Sequence, residues 1–173
     1  PVGTTDSELI FCSLLSWIKH HEFRLADRND FILLHEKLGE INRLGELNLI
    51  FSDGTNLFAY HDRSGYVGPH FLLRHAPYEV VRLHGPYLTI DWAAIIGPDE
   101  RGYRVASEPF SDENWISFKP GQLLVFCEGN TVFMSESEWI SKVNHRRRIR
   151  HGALLKLEIT YFNDHFCYLE RTP

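Results

Sequence analysis

The chain has 173 residues, which suits one domain, and 43% of them are apolar, enough to bury a substantial core. Its formal charge of −5 gives no general attraction to nucleic acid or to anionic membranes. No apolar run is long enough to span a bilayer, and no signal-peptide pattern opens the chain. We therefore expect a folded cytoplasmic protein that binds neither nucleic acid nor membrane.

The first quarter of the chain predicts two amphipathic helices. The first should span residues 7–20, after a capping box in which Thr5 caps the helix and Glu8 reaches back. The second should span residues 30–44, where apolar residues recur at helical spacing, and Gly45 is the expected stop. Each helix is apolar on one face, so each should pack on a larger element.

From residue 47 onward the pattern changes to that of β-strands. Asp53-Gly54 lies between apolar runs at 47–51 and 56–60, a strong signal for a β-hairpin. Further short strands are predicted at 70–74, 79–83, 87–91, 104–107, 122–127 and 131–134. The pattern predicts an α+β fold of antiparallel sheets with packed helices.

Residues 135–173 differ from the rest, and we predict them to be a C-terminal extension of a domain at 1–134. The run 145–151 is strongly basic and could bind a phosphate or an acidic partner, although such runs are more often solvated loops. Beyond it, 153–162 and 166–169 resemble the strands of a terminal hairpin. The extension could also form a dimer contact.

The cysteines and histidines do not form a metal or disulfide pattern. Cys12, Cys127 and Cys167 lie far apart, which is typical of reduced thiols in a reducing compartment. The histidines are scattered, and the adjacent His20 and His21 would point about 100° apart on a helix. We expect no metal site and no cofactor.

The opening residues carry the most informative motif. Gly3-Thr4-Thr5-Asp6-Ser7-Glu8, followed by an apolar helix, resembles a motif of the class II glutamine amidotransferases, which are N-terminal-nucleophile hydrolases. The resemblance implies that Asp6 binds the α-amino group of glutamine, because an ammonium group is held best by a fixed carboxylate. As local structure alone, the same residues also suit an ordinary helix start.

Four later segments resemble the same family and follow in its order. They are the hairpin around Ser52-Asp53-Gly54, the segment 73–78 with its Arg-x-Ala-Pro-aromatic pattern, the segment 105–112 with its Ala-Ser-Glu-Pro pattern, and Trp115 with the Pro-Gly-Gln segment 120–126. Together with the opening motif, they cover about residues 2–134. The resemblance implies that the chain is part of a four-layer αββα sandwich.

The chain also departs from the family pattern. The family's nucleophile is a cysteine at the mature N-terminus, whereas residue 1 here is Pro. The family's arginine that binds the glutamine carboxylate, and its Asn-Gly oxyanion pair, precede the opening motif. By resemblance the chain looks like the C-terminal half of such a domain, and its partners would be the missing N-terminal half and glutamine or a γ-glutamyl compound.

The resemblance implies part of a glutamine amidotransferase or γ-glutamyl amide hydrolase that releases ammonia from glutamine. This chain would supply the wall of the site that carries Asp6, and no catalytic residue is assigned within it. Each missing oxyanion donor would cost roughly 3–4 kcal/mol of transition-state stabilisation, so the chain alone should be inactive.

Two other interpretations remain open. One is a non-catalytic binding or interaction scaffold of the same fold. The other uses the free amine of Pro1 as a general base, as in the tautomerases, but those chains enter a β-strand at once whereas this one should enter a helix. The sequence also leaves open whether the protein forms a homo-oligomer.

Overall fold

The computed structural model describes residue 3 and residues 5–78, 80–83, 89–91, 94–95, 97–98 and 100–135. Two α-helices come first, α1 (Asp6–His20) and α2 (Arg28–Ile41). The strands follow: β1 (Leu49–Ser52), β2 (Asn56–Tyr60), β3 (His70–His75), β4 (Val80–Arg82), β5 (Thr89–Asp91), β6 (Arg101–Ala106), β7 (Ile116–Ser117), β8 (Leu123–Cys127) and β9 (Asn130–Met134). The predicted order of helices and then strands is confirmed. The basic run 145–151 and the predicted terminal hairpin lie outside the described residues.

Helix α1 begins where the sequence predicts. The hydroxyl of Thr5 accepts a hydrogen bond from the backbone N–H of Glu8, at 3.3 Å, which satisfies one of the free donors of the first turn. The Glu8 carboxylate reaches back past Thr5 and accepts from the N–H of Gly3, at 2.9 Å. The two side chains therefore satisfy one N–H inside the helix and one before it. This is a variant of the predicted capping box, in which Glu8 binds Gly3 rather than Thr5.

Helix α2 differs from its prediction at both ends. It begins two residues earlier, because Asp27 caps it by accepting from the N–H groups of Asn29 and Asp30. It ends at Ile41 rather than at residue 44, and Gly45 is not its stop. The side chain of Asn42 turns away from the helix to bind other parts of the chain, as described below.

A four-stranded antiparallel sheet, sheet A, has the order β1-β2-β8-β9. The β1–β2 hairpin forms at the predicted turn, where Gly54 has φ +92° and Asp53 accepts from two backbone N–H groups. Helices α1 and α2 cover one face of sheet A. The buried side chains of this layer include Leu14, Phe31, Leu34, Leu38, Phe51, Phe58, Tyr60, Leu123, Val125 and Phe133.

The second sheet, sheet B, has the order β6-β3-β7 and packs on the other face of sheet A. The core between the sheets includes Ile50, Leu57, Ala59, Val105, Phe118, Leu124 and Phe126. Strand β6 begins three residues before its predicted start, because β3 pairs with it along its full length. The two-residue strand β7 is too short to show an alternating pattern, and the sequence missed it. Strands β4 and β5 pair with each other separately.

The described residues therefore form three layers, helix–sheet–sheet, which agrees with the predicted α+β class. The four-layer sandwich implied by the resemblance stays a prediction. In the described part of the chain, none of the helices has the length and apolar character needed to cross a membrane.

Candidate functional site

Asp6 is the first residue of α1, and its side chain is exposed. Among the described residues, no hydrogen bond or ion pair engages its carboxylate. The neighbouring Thr5 and Glu8 both accept hydrogen bonds from backbone N–H groups at the start of α1, which Asp6 does not. Asp6 therefore presents an exposed carboxylate on the first turn of α1.

The two described cysteines are poor candidates to attack a ligand held by Asp6. Cys12 lies six residues further along α1, which puts its Cα roughly 9 Å along the axis and about 240° around the helix from that of Asp6. Cys127 ends β8, and burial, aided by the charges of Glu128 and Asp53, raises the pKa of its thiol. A protonated thiol is a poor nucleophile. Cys167 lies outside the described residues.

A second set of polar residues, missed by the sequence analysis, surrounds the fully buried Asp62. Its Oδ1 accepts from the Leu47 N–H at 3.0 Å and from the Asn42 amide at 2.5 Å. Its Oδ2 accepts from the backbone N–H of Ser64, at 2.7 Å, and from the Ser64 hydroxyl. We call Asn42, Asn48, His61, Asp62 and Ser64 the Asp62 junction.

The two asparagines of the junction join separate parts of the fold. Asn42, at the end of α2, accepts from the Tyr60 hydroxyl at 3.1 Å and from the Arg63 N–H at 2.7 Å. Its amide also donates to the carbonyl of Gly45, and this bond together with the one to Asp62 accompanies the end of α2 three residues early. The junction therefore ties the helix layer to the end of β2.

Asn48 holds the loop that follows β2. Its amide donates to the carbonyls of Tyr66 and Val67, at 3.0 and 3.1 Å. Val67 has a positive φ of 34°, which is unusual for a β-branched residue, so the loop needs such contacts to keep its shape. The Asn48 Oδ1 accepts from the N–H of Asp62 and from the His61 ring, which assigns the proton to His61 Nδ1.

Burial and hydrogen bonding act in opposite directions on the junction's ionisable groups. For Asp62, burial raises the pKa, but the hydrogen bonds from Ser64, Asn42 and Leu47 outweigh it, and the net pKa lies below the ordinary 3.8. For His61, burial is the largest effect, and it lowers the pKa below 6.5 even though the charge of Asp62 acts the other way. The junction is therefore built for an ionised Asp62 and a neutral His61.

The pH dependence of the free energy of unfolding should reveal the lowered pKa of His61. The unfolded chain binds a proton at the ordinary pKa of about 6.5, whereas folded His61 resists it, so the free energy of unfolding should fall as the pH drops below that value. Urea denaturation at pH 7.5, 6.5 and 5.5 measures this slope. His61→Asn keeps an N–H donor for Asn48 and should flatten it, whereas His75→Asn, at an exposed histidine, should not. Equal slopes for all three proteins would contradict the assignment.

The family-like segments of β3 and of residues 106–115 meet on the outer face of sheet B. The guanidinium of Arg74, itself buried, pairs with the carboxylate of Glu113, with Nε donating to Oε1 at 2.9 Å. Ser111 donates to the same carboxylate and accepts from the indole N–H of Trp115, at 3.1 Å. Burial, aided by the charge of Arg74, lowers the pKa of the nearby Arg104 to about 10. These hydrogen bonds join β3 to the segment 111–115, so the cluster has a structural role.

The structure thus leaves Asp6 as the exposed functional candidate and adds two buried polar clusters. One signal could have indicated the junction: His61-Asp62-Arg63-Ser64 is a polar run directly after a fully buried strand. Within the described ranges, no group of three or more histidine, cysteine or acidic side chains is placed to hold a metal ion.

Most of this chain is similar in sequence to known proteins. Residues 1–150 match the model of the class II glutamine amidotransferases. An uncharacterized protein of Methanocaldococcus jannaschii is 38% identical over 136 residues, which cover 79% of this chain and 38% of that protein. YafJ of Escherichia coli, a proposed glutamine amidotransferase, is 30% identical over 135 residues, or 76% of this chain and 51% of that protein.

A solved structure is also similar. The 2.0 Å crystal structure of a predicted glutamine amidotransferase from Pseudomonas aeruginosa PA01 superposes with a TM-score of 0.64 and 30% sequence identity. The match covers 77% of this chain and 52% of that one. The chain therefore spans about half, or less, of the length of the relatives it matches.

Proposed function

This chain belongs to the class II glutamine amidotransferases, and we propose that it forms the part of a glutamine site that binds the substrate's α-ammonium group through Asp6. The parent reaction is release of ammonia from the γ-carboxamide of glutamine or of a related γ-glutamyl compound. The attacking cysteine, the carboxylate-binding arginine and the oxyanion donors would come from a part of the domain outside these 173 residues.

The observation that carries the proposal is the position of Asp6. Its carboxylate is exposed on the first turn of α1, in the family's Gly-x-Thr-Asp-Ser-Glu motif, and has no partner among the described residues. A primary ammonium group paired with such a carboxylate forms a charge-assisted hydrogen bond, which is stronger and more directional than a neutral one. Glutamine without its α-amino group would lose this contact.

In the reaction, a cysteine thiolate attacks the γ-carbonyl carbon of glutamine to give a tetrahedral oxyanion. The oxyanion collapses with protonation and departure of ammonia, which leaves a γ-glutamyl thioester, and water then hydrolyses the thioester to glutamate and the free thiol. This chain's contribution is to anchor the amino acid end of the substrate. Anchoring that end holds the γ-carboxamide within reach of the attacking group and lowers the entropic cost of the attack.

An electrophilic glutamine analogue tests where the nucleophile lies. In the protein as its host produces it, the analogue should block ammonia release and label a cysteine outside this sequence. The purified 173-residue chain should release no ammonia and take up no label at Cys12 or Cys127, because Cys12 is displaced along and around α1 from Asp6 and burial raises the pKa of the Cys127 thiol. Peptide mass spectrometry identifies the labelled residue.

Two results would count against the proposal. Specific labelling of Cys12 or Cys127 that glutamine prevents would place the nucleophile within this chain. A host-produced protein that neither binds glutamine nor releases ammonia would instead support the non-catalytic scaffold.

A further inference from the structure

The Glu8 side chain folds back from the first turn of α1 onto the chain that precedes the helix. Its Oε1 accepts a hydrogen bond from the backbone N–H of Gly3, at 2.9 Å. Glu8 is half-buried, although its neighbours Asp6 and Leu9 on the same turn are exposed. The carboxylate therefore lies against the backbone before the helix, and we call this interaction the Gly3–Glu8 contact.

Gly3 is the residue that this contact requires. A Cβ atom at position 3 would overlap the Glu8 carboxylate, so any other residue would push the Glu8 side chain away from the N–H that it binds. Glycine allows such a close approach because it carries no side chain. The first residue of the opening motif is thus explained by its contact with the last.

Glu8 and Asp6 leave the helix in different directions. Residues two positions apart on an α-helix project about 200° apart around its axis, so Glu8 projects from the side nearly opposite to Asp6. The two carboxylates are therefore not arranged to bind one ammonium group together. Glu8 holds the backbone before the helix, and it does so from the side away from Asp6.

The position of that backbone matters for the proposed reaction. Asp6 would anchor the amino acid end of glutamine, whereas the groups that act on the γ-carboxamide would come from outside these 173 residues. In the family pattern, the carboxylate-binding arginine and the oxyanion pair precede the opening motif, so the backbone at Gly3 links them to Asp6. A displacement of about 1 Å between an anchored substrate and its attacking group can cost roughly 100-fold in rate.

We infer that Glu8 is a positioning residue of the glutamine site, which acts by holding the backbone before α1 at a fixed place relative to Asp6. This inference rests on the proposed function. In this role Glu8 does not touch the substrate, so its effect falls on kcat, whereas the effect of Asp6 falls mainly on KM.

Steady-state kinetics with glutamine, in the protein as its host produces it, tests the inference. Glu8→Ala should lower kcat by roughly 10- to 100-fold and leave KM within about twofold. Glu8→Gln should restore most of kcat, because its amide oxygen can accept the same hydrogen bond. The matched control is Asp27→Ala, which removes the cap of the other helix and should leave kcat of the folded protein unchanged.

Gly3→Ala tests the same contact from its other side. It should lower kcat as Glu8→Ala does, because the added methyl group displaces the carboxylate. The double variant should be no worse than either single variant, since both substitutions remove one interaction. Exchange of the Gly3 amide, followed by NMR without glutamine, should be faster in Glu8→Ala than in the unmodified protein or in Glu8→Gln.

The outcomes separate this inference from the proposed function. If Asp6→Asn raised KM while Glu8→Ala changed neither kcat nor KM, the inference would be wrong and the proposed function would stand. A rise in KM alone for Glu8→Ala would place Glu8 in substrate binding and would also overturn the inference, as would an equal loss of kcat in Asp27→Ala. If the unmodified protein neither bound glutamine nor released ammonia, both would fail, and a slowed Gly3 amide would then mark an ordinary helix cap.

Discussion

Replacing Asp6 by Asn is expected to lower kcat/KM for glutamine by roughly 10- to 140-fold in the protein as its host produces it. A hydrogen bond to a charged group contributes about 1.5–3 kcal/mol, and each 1.4 kcal/mol corresponds to tenfold in affinity. Asp6 would bind the amino acid end of the substrate, which does not change charge during the reaction. The loss should therefore fall mainly on KM rather than on kcat.

A substrate without the α-amino group separates binding from general damage. Glutaramate is glutamine with hydrogen in place of that group, so the unmodified protein should strongly prefer glutamine. Asp6→Asn should remove most of this preference by weakening glutamine alone. The matched control is Asp27→Asn, which removes an exposed charge at the start of α2 but keeps its cap, since Asn caps a helix about as well as Asp.

The outcome for glutaramate decides the interpretation. If Asp6→Asn lowered activity on both substrates equally, the residue would be supporting the helix start rather than binding the ammonium group. If Asp27→Asn had the same effect as Asp6→Asn, a general change of charge would explain both results. Thermal unfolding of the two variants should change little in either case, because both carboxylates are exposed.

The features that the sequence predicted correctly are those whose cause is local. The start of α1 depends on Thr5 and Glu8, which lie within one turn of it. The β1–β2 hairpin depends on Asp53 and Gly54, which lie within the turn itself. Each signal lies within a few residues of its effect, so a pattern of spacing is enough to find it.

The features that the sequence missed depend on partners far along the chain. Helix α2 ends early because Asn42 binds Asp62, twenty residues away. The pair of Arg74 and Glu113 is separated by 39 residues, and the pairing of β3 with β7 brings the two side chains to the same place. No periodicity records such contacts. The family resemblance showed that the segments belong together but did not indicate which side chains would meet.

The same distinction applies to the candidate site. Asp6 could be named from its motif, because the residues that present it are its immediate neighbours. The polar run His61–Ser64 after a buried strand was the one local signal of the buried junction, because Asn42 and Asn48 are ordinary polar residues until the fold brings them to Asp62. Local signals thus located the exposed candidate, whereas the part of the fold that holds the helix layer in place was visible only in the structure.

The contribution of the Asp62 junction to stability can be measured with Asp62→Ala. This variant is expected to reduce the free energy of unfolding by roughly 2–6 kcal/mol. The substitution leaves the Leu47 N–H and the Asn42 amide without their acceptor, and an unsatisfied buried donor costs about 1–3 kcal/mol. Ser64 is exposed, so water can replace its bonds to Asp62. Urea denaturation at pH 7 measures the difference, provided that the slope with denaturant is unchanged.

Asp53→Ala is the matched control for this prediction. Asp53 accepts from the backbone N–H groups of Thr55 and Asn56 and from the Asn56 amide, but its own side chain is exposed, whereas that of Asp62 is fully buried. The loss for Asp62→Ala should therefore clearly exceed that for Asp53→Ala. Equal losses would mean that the number of hydrogen bonds, rather than their burial, sets the cost. In that case the junction would be one turn among several and not the anchor of the helix layer.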